Sequence, residues 1–305
     1  MSLPESDLTK TQAILHHVDV FATGPLTGNG LTVFLNAESW PPAMMQRLTQ
    51  EMKQFESIFL SEITPHGATA RIFTVEEELP FAGHPLLGAA AVLHRSLAPS
   101  AERRSWVLRP PHGEISVSSI RRGDHFHCEM NQGVPAFGVA PAPSALAPIL
   151  ARLSLREADL LSGLPARVVS TGLPYLIIPV GAEALARAAV VGSDLEGLLQ
   201  AEGAKFLLVL DVAGREMRTW DNLGKVEDVA TGSAAGPAAA YLLRHGFSDP
   251  GTPIHLAQGR FAGRPSRLRV EESAAGHLLV SGEVWPVSHG TLDLNPMSSS
   301  ETHTV

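Results

Sequence analysis

The chain has 305 residues, long enough for two hydrophobic cores, and a globular composition with 44% hydrophobic and 18% charged residues. Its formal net charge is −8, and its basic residues form no run longer than pairs such as Arg103-Arg104 and Arg121-Arg122. Both features argue against a phosphate-binding surface, so we expect no nucleic-acid partner. Cys128 is the single cysteine, which excludes an internal disulfide framework and a multi-cysteine metal site.

The sequence favours a cytoplasmic protein. A single cysteine fits a reducing compartment, and residues 1–10 are polar and acidic without an apolar core segment. No run of about 18 uncharged apolar residues provides the span that a transmembrane helix needs. We therefore expect neither export nor a membrane partner.

Short β-rich runs dominate the first half of the chain and predict one antiparallel sheet system. The predicted strands are 14–21, 31–35, 57–60, 70–73, 105–108, 115–119 and 125–130. Only two helical patterns lie among them: Pro42–Met52, where methionine and leucine recur every three or four residues, and the alanine-rich run after His84. The second of these helices is expected to be deeply buried.

The composition changes at residues 134–143, where three prolines lack the N–H that a strand ladder needs, so this segment is expected to link two domains. The second half repeats the β-rich mixture, with predicted strands at 167–170, 175–180, 206–210, 217–220 and 278–281. We expect an N-terminal half over 11–134 and a C-terminal half over 145–283. A last strand near 284–296 is expected to return to the first half, and residues 1–10 and 297–305 are expected to be flexible.

An internal repeat supports two similar halves. Residues 78–85 (ELPFAGHP) align with 227–234 (EDVATGSA) at a constant offset of 149, and the alignment continues without a gap into alanine-rich helices at 89–95 and 238–244. Alanine-rich helices match each other easily, so a compositional coincidence is the alternative. The shared glutamate and glycine before each helix favour duplication.

Each copy of the repeat has the pattern of a helix start: a glycine, a hydrogen-bonding residue, then helix formers. His84 is expected at the cap with Pro85 at the first helical position, and Ser233 at the cap of the second helix. Unpaired N–H groups at two helix starts attract a carboxylate, so facing starts would grip one anionic substrate. Ser233 alone is equally explained as an ordinary cap, whereas His84 titrates near neutrality and suits a chemical role.

Two carboxylates are further candidates. Glu56 stands between apolar neighbours, and burial would raise its pKa toward neutrality, as a group that accepts and returns a proton needs. The alternative places it on the exposed face of a half-buried strand. Asp228 lies five residues before Ser233, in a loop predicted to reach the same cleft, although a loop aspartate is usually only solvated.

These residues resemble the phenazine-biosynthesis PhzF-like family over nearly the whole chain, in order. The matching segments are 18–21 (VDVF) with 28–29 (GN), 55–57 (FES), 71–74 (RIFT) leading into 78–85, 227–237 (EDVATGSAAGP), and 258–260 (QGR) with 263–266 (GRPS). The resemblance implies the α+β diaminopimelate epimerase-like fold. This fold has two pseudo-symmetric domains, each an antiparallel sheet or barrel wrapped around a central helix, with the active site between them.

The resemblance also implies a proton-shuttling isomerase with no metal or organic cofactor, acting on a small carboxylate-bearing substrate such as a dihydro-hydroxyanthranilate, and a homodimer. Glu56 matches the family's catalytic glutamate. The implied substrate-binding residues are His84, Asp228, Ser233, Gly83, Gly232, Thr231 and Asn29. The alternative is a non-catalytic member of the fold that binds a small acid or a protein.

The sequence departs from the family and superfamily patterns at several positions. Gly30 stands where proline commonly follows Gly-Asn, Val229 replaces the proline of an Asp-Pro-Ala-Thr-Gly motif, and 55–57 lacks the Ser-Glu-Thr form. Ala82 and Thr231 stand near the places where the related epimerases carry paired cysteines, so a two-thiol mechanism is not available. These changes leave the substrate open.

Two other interpretations of the sequence, a nucleotide-binding loop and a catalytic metal site, are disfavoured. The segment 28–33 has too few glycines for a nucleotide-binding loop and precedes a predicted strand, so it is read as a tight turn. His16-His17 and His125-Phe126-His127 lack the spacing of a catalytic metal site.

Overall fold

The computed structural model describes residues 13–111, 113–192, 194–224 and 226–292. The expectation of flexible ends at 1–10 and 297–305 falls outside these residues. None of the helices in the described ranges is long and apolar enough to cross a membrane.

Strands make up most of the regular structure. The strands before residue 140 are β1 (Ala13–Val20), β2 (Asn29–Leu35), β3 (Glu56–Thr64), β4 (Gly67–Thr74), β5 (Glu78–Leu79), β6 (Arg103–Arg109), β7 (Ile115–Arg122), β8 (His125–Asn131) and β9 (Ala136–Phe137). The later strands are β10 (Arg167–Ser170), β11 (Pro174–Val180), β12 (Phe206–Asp211), β13 (Glu216–Trp220), β14 (Glu227–Asp228), β15 (Ile254–Gln258), β16 (Ser266–Glu272) and β17 (Leu278–Leu292).

Six α-helices connect these strands in the part of the chain that the structure describes. They are α1 (Pro42–Met52), α2 (Gly83–Leu97), α3 (Pro143–Arg152), α4 (Ala182–Arg187), α5 (Leu195–Ala201) and α6 (Gly232–Arg244). The two helices predicted for the first half are confirmed as α1 and α2. Sequence patterns missed α3, α4 and α5, which pack on the outer side of β10–β12 around a second apolar cluster that includes Ile149, Leu185 and Leu199.

The sheet is mixed, so the expectation of a purely antiparallel system is wrong. Four strand pairs run parallel: β2 with β3, β4 with β6, β11 with β12, and β13 with β15. In each case one or two helices lie between the paired strands in the chain. A parallel pair needs such a crossover connection, whereas a tight hairpin gives an antiparallel pair.

The proline-rich segment at 134–143 is not wholly irregular. Its residues Ala136 and Phe137 form β9, which pairs antiparallel with β10 through Phe137 and Val169. The prediction that this segment keeps no ladder is therefore wrong at these positions, because its prolines stand at 135, 141 and 143 and leave residues 136–140 free to pair. The division of the chain into two domains at this segment stays a prediction.

The long strand β17 connects the two parts of the sheet. Its first residues pair with β16, residues 279–284 pair with β8, and residues 284–292 pair with β1. One strand thus continues from the C-terminal set of strands into the N-terminal set.

Each part of the sheet encloses one buried helix. Helix α2 contacts β1, β2, β3, β7, β8 and β17, and helix α6 contacts β10, β11, β12, β16 and β17. Alanines at 89–91 and 238–240 are buried and let the strands approach these helices closely. This arrangement, a strand layer wrapped around a central helix and present twice, confirms the predicted fold class.

Candidate active site

The first turns of α2 and α6 touch each other in the middle of the molecule. A Cβ added to Gly83 would lie 3.0 Å from the backbone of Gly232 and from the backbone nitrogen of Ser233. A Cβ added to Gly232 would lie 3.1 Å from the backbone nitrogen of His84. Glycine at both positions therefore allows the two helix starts to converge.

Both caps lie two residues before the predicted ones. Helix α2 begins at Gly83 after Ala82, and α6 begins at Gly232 after Thr231, so His84 and Ser233 lie inside the first turns. Ala82 and Thr231 have the extended backbone of an N-cap residue, so each helix starts at the glycine that follows. The N-cap side chains of both helices make no capping hydrogen bond to the described residues, which leaves first-turn N–H groups available to an anionic ligand.

Glu56 begins β3 and is buried, which supports the first of the two readings of its position. Its Oε2 has no hydrogen-bond partner within the described residues. Burial raises the pKa of this carboxyl well above its ordinary value, and the nearby Asp228 carboxylate raises it further. Both effects favour the protonated form of the Glu56 carboxyl.

His84 contacts Glu56 from the interior. Its Nδ1 lies 3.3 Å from Glu56 Oε2, but without the geometry of a hydrogen bond, and its Nε2 also has no partner in the described chain. Burial lowers the pKa of His84 to about 3, so the imidazole is neutral. Because the imidazole is neutral, this contact is not an ion pair.

Asp228 lies in β14 rather than in the predicted loop, and it is buried. Its Oδ1 accepts a hydrogen bond of 2.7 Å from Asn29 Nδ2, and its Oδ2 accepts one from the Thr231 hydroxyl. Burial raises the pKa of Asp228, while the hydrogen bonds from Thr231 and Asn29 oppose that shift. Asp228 is held in one orientation.

Gln258 fixes the strand end and the helix cap around Asp228. Its Nε2 donates to the Asp228 carbonyl at 2.8 Å and to Thr231 Oγ1 at 3.0 Å, and its Oε1 accepts from the Thr231 N–H at 2.9 Å. Arg264 performs a similar task for Asn29: its guanidinium donates to the Gly28 carbonyl at 2.8 Å and to Asp19 Oδ1 at 2.7 Å.

A cleft of about 600 Å³ opens beside the converging helix starts. Four of the predicted site residues line it: Glu56, Asp228, Thr231 and Ser233. Among the described residues, the other four predicted ones lie against this lining: His84 contacts Glu56, Asn29 bonds Asp228, and Gly83 and Gly232 bring the two turns together. Apolar and aromatic side chains form much of the remaining wall: Phe55, Leu79, Leu173, Tyr175, Phe206 and Trp220.

Sequence reasoning missed several polar residues of this region. Gln132 donates to the Gly232 carbonyl at 2.9 Å, and Tyr175 Oη lies 2.7 Å from Ser233 Oγ. The segments 258–260 and 263–266 match family motifs, but the sequence indicates no role for Gln258 or Arg264. Tyr175 carried one weak signal, since the chain contains only two tyrosines.

The fold and the cleft together define a class of protein. Two strand layers, each around a central helix, bring two helix starts face to face beside the buried carboxyl of Glu56. This is the diaminopimelate epimerase-like architecture, and it is shared with a PhzF-family protein of Bacillus anthracis at a TM-score of 0.77 and 20% identity, over 93% of this chain and all of that one.

The chain belongs to the phenazine biosynthesis-like protein family, whose model matches residues 18–290. It is 34% identical over 272 residues to the trans-2,3-dihydro-3-hydroxyanthranilate isomerase of Pseudomonas fluorescens, covering 88% of this chain and 93% of that enzyme. A solved structure from Pseudomonas aeruginosa, described as a predicted epimerase, is 50% identical with a TM-score of 0.88, over 92% of this chain and 99% of that one. The family assignment and the prediction of an isomerase are thereby confirmed.

Proposed function

We propose that this isomerase moves a proton on a small carboxylate-bearing substrate and that Glu56 carries the proton. One observation supports this most strongly: a buried carboxyl oxygen without a hydrogen-bond partner lies in a cleft where two helix starts converge. Buried polar groups are almost always hydrogen-bonded, so an unsatisfied one calls for a functional explanation.

The roles of the other residues follow from their positions. The first-turn N–H groups of α2 and α6, with the Ser233 hydroxyl, bind the substrate carboxylate. Asp228 accepts a hydrogen bond from an amino or hydroxyl group, since Asn29 and Thr231 already fix its orientation. His84 is neutral and keeps Glu56 in place from the interior side.

The reaction needs no net change in oxidation state. Glu56, in its carboxylate form, takes a proton from a carbon next to a π-system, and the electrons of that C–H bond enter the conjugated system. The protonated Glu56 exchanges its proton with solvent and then protonates another carbon of the same molecule. A raised pKa suits both steps, because the group must be a competent base and a competent acid near neutral pH.

The substrate class follows from the lining and from the relatives. Aromatic and aliphatic walls beside a carboxylate-binding end suit a ring-bearing acid, and the Pseudomonas fluorescens relative is named for trans-2,3-dihydro-3-hydroxyanthranilate. We propose a cyclic amino or hydroxy acid of this kind. Catalysis by residues of the chain, without a metal or organic cofactor, is part of the same proposal.

The test follows trans-2,3-dihydro-3-hydroxyanthranilate in D2O by proton NMR. The wild type should convert the compound and incorporate deuterium into the product, and Glu56→Gln should lower kcat by about a hundredfold or more. Glu51→Gln is the matched control, because Glu51 is exposed on α1 and its substitution replaces the same side chain by the same amide.

Two outcomes would contradict the proposal. Conversion at the wild-type rate by Glu56→Gln would remove Glu56 from the mechanism. Binding of this and related ring acids without any deuterium uptake would instead indicate a non-catalytic acid-binding protein.

A further inference from the structure

The chain has two tyrosines, and both are buried: Tyr241 is part of α6, and Tyr175 contacts the first turn of α6. Their hydroxyl groups have different hydrogen-bond partners. Tyr241, within α6, donates to the carbonyl of Pro165 at 2.9 Å. Tyr175, on β11, places its Oη 2.7 Å from Ser233 Oγ in the first turn of α6. Only the second contact involves a residue of the cleft lining.

Tyr175 is held firmly by its neighbours. It is the second residue of β11, it pairs in parallel register with Phe206 of β12, and the two rings lie 5.5 Å apart. Only 3% of Tyr175 is exposed, although the residue lines the cleft. Its hydroxyl group therefore has a fixed position beside Ser233.

A hydrogen bond joins the two hydroxyl groups, and either oxygen is able to donate it. Burial raises the pKa of the Tyr175 phenol, and the carboxylates of Asp228 and Glu56 raise it further, so the phenol keeps its proton. Among the described residues, Ser233 Oγ is the acceptor in reach of that proton. When Tyr175 donates, the hydrogen of the Ser233 hydroxyl is released to point toward another acceptor.

We propose that Tyr175 is a positioning residue, whose phenolic O–H orients Ser233 so that the serine hydroxyl donates to the substrate carboxylate. The inference rests on the proposed function, in which Ser233 binds that carboxylate. It adds a second hydroxyl, 58 residues earlier in the chain, to the anion-binding end of the cleft.

The two tyrosines give a matched pair of variants. Tyr175→Phe and Tyr241→Phe each remove one buried hydroxyl beside α6, and both should keep the fold. We expect Tyr175→Phe to raise KM for the substrate, and Kd for the non-reacting probe anthranilate, by roughly three- to tenfold. Its kcat should change less than twofold, because binding is weakened equally before and during proton transfer. Tyr241→Phe should leave KM and Kd within twofold of the wild type.

A double-mutant cycle separates this role from a merely structural one. If Tyr175 acts through Ser233, then adding Tyr175→Phe to Ser233→Ala should not weaken anthranilate binding further. Equal effects of Tyr175→Phe with and without the serine would overturn the proposal, and so would wild-type KM and Kd in Tyr175→Phe alone. A second comparison, of Ser233→Ala with the double variant, tests the same role even if Tyr175→Phe alone lowers the stability of the protein.

The experiments would give different results if the proposed function itself were wrong. In that case the wild type itself would fail to bind anthranilate or to incorporate deuterium, and the role of Tyr175 would fall with it. A wild type that binds and turns over, together with an unaffected Tyr175→Phe, would contradict the role of Tyr175 alone.

Discussion

The two site turns, residues 78–85 and 227–234, are built alike and used differently. In each, an arginine on the preceding strand makes two hydrogen bonds to the glutamate that opens the turn: Arg71 to Glu78 at 2.7 and 2.6 Å, and Arg218 to Glu227 at 2.8 and 2.6 Å. A two-residue strand and a glycine-started helix follow in both. These shared parts serve to place a turn.

The side chains that the turns present to the cleft differ in their hydrogen bonding. Asp228 of the second turn is satisfied by Asn29 and Thr231, and Gln258 holds the backbone around it. His84 of the first turn has an unpartnered Nε2 and faces Glu56, whose Oε2 is also unpartnered in the described chain. The second turn is therefore rigidly bonded, and the first borders the carboxyl that we propose exchanges a proton.

The largest expected effect comes from separating the turns. Gly83→Val would push side-chain atoms into the backbone of Gly232 and Ser233 and displace one helix start from the other. We expect kcat/KM to fall about a hundredfold, as misplacement by about an ångström can do. Gly197→Val is the control, since that exposed helix glycine has open space around it. Circular dichroism would establish that both variants are folded, and a folded Gly83→Val with full activity would contradict the convergence argument.

The difference between the turns should also appear in stability. Asp228→Ala removes the acceptor of two buried hydrogen bonds and should lower the free energy of unfolding by about 2 kcal/mol. His84→Leu breaks no hydrogen bond in the described residues and replaces a buried polar ring by an apolar side chain. Its free energy of unfolding should stay within about 1 kcal/mol of the wild type.

Urea denaturation at pH 7.5 would measure both changes. A larger loss for His84→Leu than for Asp228→Ala would reverse the comparison between the two turns.

The smallest expected effect is a dependence of stability on pH. The pKa of His84 is about 3 in the folded protein and 6.5 as the ordinary value, so the unfolded chain binds more protons between these limits. Lowering the pH from 7.5 to 5.5 should therefore reduce the free energy of unfolding by about 1 to 2 kcal/mol through His84. Glu56 acts in the opposite sense, because its raised pKa favours the protonated folded form at low pH and loses that advantage as pH rises.

His84→Leu isolates the histidine contribution. Urea titrations at the two pH values should show a smaller loss for this variant than for the wild type. An equal loss in both proteins would mean that His84 is not buried in its neutral form.

The sequence predicted most strands and the helices α1, α2 and α6, because their alternating or alanine-rich patterns are local. It missed β5 and β14, since two-residue strands carry no periodicity, and it placed Asp228 in a loop for the same reason. The internal repeat located Gly83 and Gly232, whose contact explains the glycines. The contacts of Tyr175 with Ser233 and of Gln258 with Asp228 depend on strands distant in the chain, so no local pattern indicated them.

The titration of Glu56 would show whether a buried carboxyl without a hydrogen-bond partner in the described residues holds the transferable proton. In protein carrying carbon-13 at glutamate Cδ, the Glu56 signal is identified by its absence from Glu56→Gln. The account predicts that this signal titrates well above the ordinary value of 4.5. A midpoint at or below 4.5 would show a solvated or tightly paired carboxylate and would contradict the assignment of Glu56 as the proton carrier.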